Sequence, residues 1–139
     1  MKTDHGRMGK IVIVRMFSGE DVILELKNAI KDNGLDSGVI LSIVGTLKEV
    51  KLQYFLGRSQ GIMNMSHIGH YELTSGDGSF YRDSEEIVVH LHVNLCSPNE
   101  VLGGHLLLDS KVDATIQAFI AELKEADIKG VFQSRQEQV

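Results

Sequence analysis

The stretch Glu86-Ile87-Val88-Val89-His90-Leu91-His92-Val93-Asn94-Leu95 alternates with a period of two. Ile87, Val89, Leu91, Val93 and Leu95 fall on one face, and Val88, His90, His92 and Asn94 on the other. That is the pattern of a half-buried β-strand. Such a strand needs neighbours to complete its hydrogen bonds and a second layer to cover its apolar face. The rest of the chain supplies both. Ile11-Val12-Ile13-Val14 is β-branched throughout and reads as a first strand. Val22, Ile23, Leu26 and Ile30 recur at helical spacing, which predicts a helix within 19–32 whose apolar face packs on a sheet. Ser18 offers an N-cap hydroxyl with Asp21 three residues on, and Asn33-Gly34 ends the helix with residues able to take positive φ.

Ser37 to Val44 and Leu47 to Phe55 read as two strands, or one bent strand, broken by Gly45-Thr46. Residues 57–66 are ambiguous. Residues 69–75 are strand-like, and Gly76-Asp77-Gly78 is a strong turn signal behind them. Residues 96–102 turn the chain into a strand at 104–108. Over 112–125 two periods compete. Ile116, Phe119, Ile120 and Leu123 have helical spacing, Ile116, Ala118 and Ile120 also alternate as a strand, and propensity alone favours the helix.

The chain has 139 residues, enough for one domain, and a formal net charge of −5. An acidic balance argues against a surface built to neutralise phosphates. With 42% hydrophobic and 24% charged residues the composition is that of an ordinary globular protein. The single cysteine, Cys96, excludes an internal disulfide framework and fits a reducing compartment. The start of the chain lacks the apolar stretch of a signal peptide, and no run of about 18 apolar residues occurs. A cytoplasmic protein with no membrane partner is expected.

His90-Leu91-His92 followed by Gly103-Gly104-His105 is the chemically loaded feature. Residues two apart on a strand share a face and are separated by roughly 6.5–7 Å, so two imidazoles can converge on one metal at about 2.1 Å. The connection from 93 to 104 is short enough to return His105 beside the pair on a neighbouring antiparallel strand. Three neutral imidazoles suit zinc first, with iron or nickel possible, and leave at least one coordination position open. The competing reading is a set of hydrogen-bonding histidines lining a polar pocket or interface.

The remaining ionisable groups are weaker leads. His67 and His70 read as surface or pocket residues, Glu72 as a pocket residue, and Asp77 as a turn residue between glycines. Cys96 reads as a small buried hydrophobe. No HExxH or GxxxxGK[ST] motif occurs. The cupin metal site also opens with HxH, but it places a Glu three or four residues after the second His. Here Glu100 lies beyond that spacing.

The segments Arg15-Met16-Phe17-Ser18-Gly19-Glu20-Asp21-Val22, Gly69-His70-Tyr71-Glu72-Leu73, His90-Leu91-His92 and Val101-Leu102-Gly103-Gly104-His105-Leu106 together resemble the "plants and prokaryotes conserved" (PPC) domain. The resemblance spans one domain at 8–135, leaving flexible ends at 1–7 and 136–139. It implies an α+β fold, a mainly antiparallel sheet packed against one or two helices, assembling as a homotrimer. The family's Val-x-Ala-Thr segment, here Val112-Asp113-Ala114-Thr115, leads into a strand, which implies a strand at about 114–122. Plant members contact DNA through an Arg-Gly-Arg-Pro hook. This chain has none, and His5-Gly6-Arg7-Met8 is its nearest approach. His70 stands where the plant segment has Arg. Stand-alone prokaryotic members carry histidines at these positions, and some resemble metal-bearing proteins. The leading expectation is therefore a homotrimer with a transition metal or small ligand at His90, His92 and His105. The alternatives are a DNA-associated regulatory module acting through trimerisation, and a metal-dependent enzyme with His70 or Glu72 as candidate bases.

Overall fold

Residues 1–133 are described by the computed structural model of the chain. The end at 136–139, and the last two positions of the expected domain, lie outside the described residues. Eight elements follow in order: β1 (Arg7–Phe17), α1 (Val22–Asp32), β2 (Ser37–Phe55), β3 (Ile62–Asp83), β4 (Glu86–Cys96), β5 (Val101–Leu106), β6 (Lys111–Lys124) and α2 (Ile128–Phe132). The six strands form one sheet in the order β1-β6-β2-β3-β4-β5, and each pairing is antiparallel. A further pairing of β2 with β5, at Leu52↔Leu106 and Gln53↔His105, curls β2, β3, β4 and β5 into a closed barrel.

Helix α1 packs against β1 and β4. Val22, Ile23, Leu26 and Ile30 are its buried face, as their spacing predicts. The cap is Asp21 rather than Ser18. Asp21 has extended backbone and its Oδ1 accepts from Leu24 N at 3.1 Å. Its Oδ2 accepts from Asp109 N at 2.7 Å, so one buried carboxylate ties the start of the helix to the loop before β6. Glu20 turns back to accept from Phe17 N instead.

Strand β2 is one bent strand. Its pairing with β6 shifts register around Gly45, where φ is +149° and a Cβ would lie 2.2 Å from Thr115 O. No turn occurs at Gly76-Asp77-Gly78, which run through the middle of β3. These glycines answer close packing rather than chain reversal. A Cβ at Gly76 would lie 2.4 Å from Ile43 Cγ2, and one at Gly78 would lie 2.0 Å from His90 O. Strand β6 is extended throughout 111–124, with Val112, Ile116, Ala118 and Ile120 buried in alternation. It is hydrogen-bonded on both sides, by β1 and β2, so ladder formation overrides the local preference for helix. Met16, Leu26, Leu47, Leu52, Phe80, Leu91, Leu95, Leu106 and Ile116 fill the core between the curled sheet and the helix. Among the described residues no helix is long and apolar enough to cross a membrane.

Candidate metal centre

On β4 the apolar face points inward, with Leu91, Val93 and Leu95 buried. Period two therefore turns His90 and His92 outward, side by side on the outer face of the barrel. Strand β5 pairs with β4 in the register His92↔His105, which brings the third ring onto the same face. Gly104 allows this approach: its φ is +157°, and a Cβ there would lie 3.1 Å from the ring of Tyr54. The β2–β5 pairing then fixes His105 from the other side, opposite Gln53.

The three rings form one cluster. Ring centroids are 4.9 Å apart for His90–His92 and for His90–His105, and 5.5 Å for His92–His105. His90 Nε2 and His92 Nε2 are 2.9 Å apart, and one nitrogen from each of the three rings lies within 4.8 Å of the others. Tetrahedral bonds of about 2.1 Å require nitrogens about 3.4 Å apart, a spacing bracketed by these separations. Burial, and then the neighbouring His92, holds His90 below the ordinary imidazole pKa. Burial, followed by the rings of His90 and His92, does the same for His105. Neutral rings present the lone pairs that a cation needs. The donor set thus fits a transition metal in both charge and spacing, and less so magnesium or calcium, which prefer oxygen.

Strand β3 brings two further groups to this face that sequence reading missed or misplaced. Asp77 is in register with His92 and Ser79 with His90. The alternation Ser75, Asp77, Ser79, Tyr81 carried that signal, masked by the glycines between them. Asp77 thus places a carboxylate on the same sheet face as the three rings.

The other candidates lie elsewhere. His70 and Glu72 are seven and five residues from Asp77 along β3, so His70 is about 23 Å away along the strand. Both line a separate groove with Thr46, Cys96 and Asp113. There His70 Nδ1 lies 2.7 Å from Asp113 Oδ2, and Tyr71 donates its hydroxyl to Glu100 at 2.8 Å, a bond that raises the tyrosine pKa. The expected bases of an enzymatic centre are therefore not brought to the three histidines. Cys96 is half-buried rather than a core residue. His67 packs edge-on to Tyr71, and its Nε2 is buried without a hydrogen-bond partner.

A family model described as the Plants and Prokaryotes Conserved (PCC) domain, the domain abbreviated PPC above, matches residues 3–124. A PPC protein of Pyrococcus horikoshii superposes with a TM-score of 0.78 at 32% identity, covering 89% of this chain and 85% of that one. The metal-containing protein of Archaeoglobus fulgidus gives a TM-score of 0.80 at 23% identity, covering 88% and 86%. A proposed DNA-binding protein of Bacteroides thetaiotaomicron gives 0.72 at 21% identity, covering 88% and 86%. These last two likenesses are of fold. Among curated proteins, bifunctional protein GlmU of a Synechococcus strain is 29% identical over 117 residues. The match takes in 84% of this chain but only 17% of that relative's length.

Proposed function

Because the chain belongs to the Plants and Prokaryotes Conserved domain family, we propose that it is a homotrimeric metal-binding protein of the cytoplasm. In this reading His90, His92 and His105 hold a transition metal, zinc foremost, and the open position takes a small ligand. The observation that carries it is the convergence of three imidazoles, from two strands of a closed barrel, within 4.8 Å. The metal-containing archaeal relative supports the same chemistry on the same fold.

A bound metal would supply a Lewis-acid centre able to polarise an oxygen ligand at the open position. The chain's own residues do the rest. His90 and His92 are locked in relative orientation by strand pleat, and His105 is held by ladders on both sides. Asp77 and Ser79 stand opposite His92 and His90 on the same face, adding a carboxylate and a hydroxyl beside the rings. Trimer formation is supported by large apolar side chains standing in solvent on the single chain. Ile13 is 72% exposed, Phe55 73%, Val101 80% and Ile68 85%.

The test is metal analysis of protein purified without a histidine tag, beside a His90→Ala/His92→Ala variant, together with native mass spectrometry. One metal per chain in the parent protein, none in the variant, and a mass of three chains are the expected results. Equal and negligible metal in both samples removes the metal centre, and a monomer removes the trimer.

A further inference from the structure

The three-histidine cluster opens directly into a groove of about 650 Å³ lined by Ser79, Tyr81, Val88, Val89, Phe132 and the rings of His90 and His105. Its construction follows from register. Ser79 pairs with His90 and Tyr81 with Val88, so the two strands continue the histidine face for one more residue pair along the sheet. The short helix α2 then closes the far side with Phe132, which is 57% exposed. Phe132 is a large apolar surface displayed to solvent in a groove that His90 and His105 also line. The groove therefore has two chemically distinct ends. Near His90 and His105 it offers nitrogen donors and the Ser79 hydroxyl, and away from them it offers Val88, Phe132 and Tyr81.

A divalent cation held by three neutral rings keeps its charge uncompensated by those ligands, so the open position favours an anionic oxygen donor. The apolar end favours a hydrocarbon body that a bare anion lacks. Resting on the metal-centre reading above, we propose that this groove binds a small carboxylic acid bearing an aryl or branched alkyl group. The carboxylate sits at the metal's open position beside His90 and His105, and the hydrocarbon lies against Val88 and Phe132.

The experiment uses the full chain loaded with cobalt(II), whose visible bands report the ligands on the metal. It is titrated with 3-phenylpropanoate, acetate and 3-phenylpropanol. The expected result is that 3-phenylpropanoate shifts the bands and binds at least about tenfold tighter than acetate, with the alcohol weaker than either acid. In Phe132→Ala that preference falls below about threefold, while acetate affinity and cobalt content stay as they were. Phe132 lies in the terminal helix outside the core, and Val88→Ala carries the same expectation should the first variant lose its fold by circular dichroism. Bands that respond equally to both acids, bands that respond to neither, or a preference that survives both substitutions would each overturn the ligand proposal with the metal centre intact. Failure to bind cobalt at all would overturn both.

Discussion

His105→Ala distinguishes a metal centre from a cluster of polar rings, because it removes one imidazole while leaving His90 and His92 on their own strand, 2.9 Å apart. Zinc that binds the native state stabilises it by RT ln(1 + [Zn]/Kd), about 2.7 kcal/mol when free zinc stands at a hundred times Kd. For a chain of 139 residues the unfolding entropy is about 0.29 kcal/mol per degree, so the melting temperature of the parent protein rises by about 9 °C. In the variant only the two rings of β4 remain. Even loss of a supporting partner costs up to about a hundredfold in metal affinity, so at the same zinc concentration the gain falls to about 0.4 kcal/mol, or about 1 °C. The substitution itself is mild without metal, since His105 is only partly buried, and the stripped variant should melt within about 3 °C of the stripped parent. The assay is calorimetry on both proteins, chelator-stripped and zinc-loaded, at one protein concentration so that assembly is held constant. A zinc-induced shift of equal size in parent and variant would refute the reasoning, because the metal would then be bound elsewhere.

Asp21→Ala removes the cap on Leu24 N and strands the N–H of Asp109, and should cost about 2–4 kcal/mol in urea unfolding. A loss under about 0.5 kcal/mol would mean that the carboxylate does not tie α1 to the loop before β6. His90 and His105 have folded pKa values held below the ordinary imidazole value by burial, so below pH 6.5 the unfolded chain binds more protons than the folded one. Stability of the metal-free protein should therefore be level above pH 6.5, fall as the pH drops through that value, and level off once it passes below the lowered values. Melting curves of the parent should show this slope, and His90→Ala/His105→Ala should flatten it; an unchanged slope would assign it to other groups. With a net charge of −5, fluorescence anisotropy against duplex DNA should show no binding even at low salt, whereas binding that weakens steeply with added salt would favour the DNA-associated reading.

Much of the fold was legible because the segments concerned carry one period. Residues 86–95 alternate with Val88 as the one apolar residue on the polar face, and Val22, Ile23, Leu26 and Ile30 admit only one helical face. Where two signals overlapped, local reading failed. Ser18 and Asp21 are both competent caps, and the choice fell to Asp21 because the loop before β6 supplies a second donor, Asp109 N, which lies 88 residues away. Gly76-Asp77-Gly78 has turn chemistry, yet Ile43 and the backbone of His90 need the space that side chains there would fill. That misreading also hid Asp77 and Ser79, since residues assigned to a turn have no face to share. Strand β6 came from resemblance because its local alternation competes with helical spacing, and the partners that decide for the strand, β1 and β2, lie far away in the chain.

The same long-range pairing explains why the three histidines meet at all. Two rings on one strand share a face by geometry alone, but the third depends on closure of the barrel. His105 lies opposite His92 on one side and Gln53 on the other, so its backbone is held by two ladders before any ring interacts with another. Convergence is thus set first by folding, and the hydrogen-bond contact of 2.9 Å between His90 Nε2 and His92 Nε2 follows from it. A cluster preorganised in this way gives its binding energy to whatever lies between the rings, with little spent on ordering the chain. In a loop, three histidines would have to be gathered by the metal. Here the barrel gathers them first.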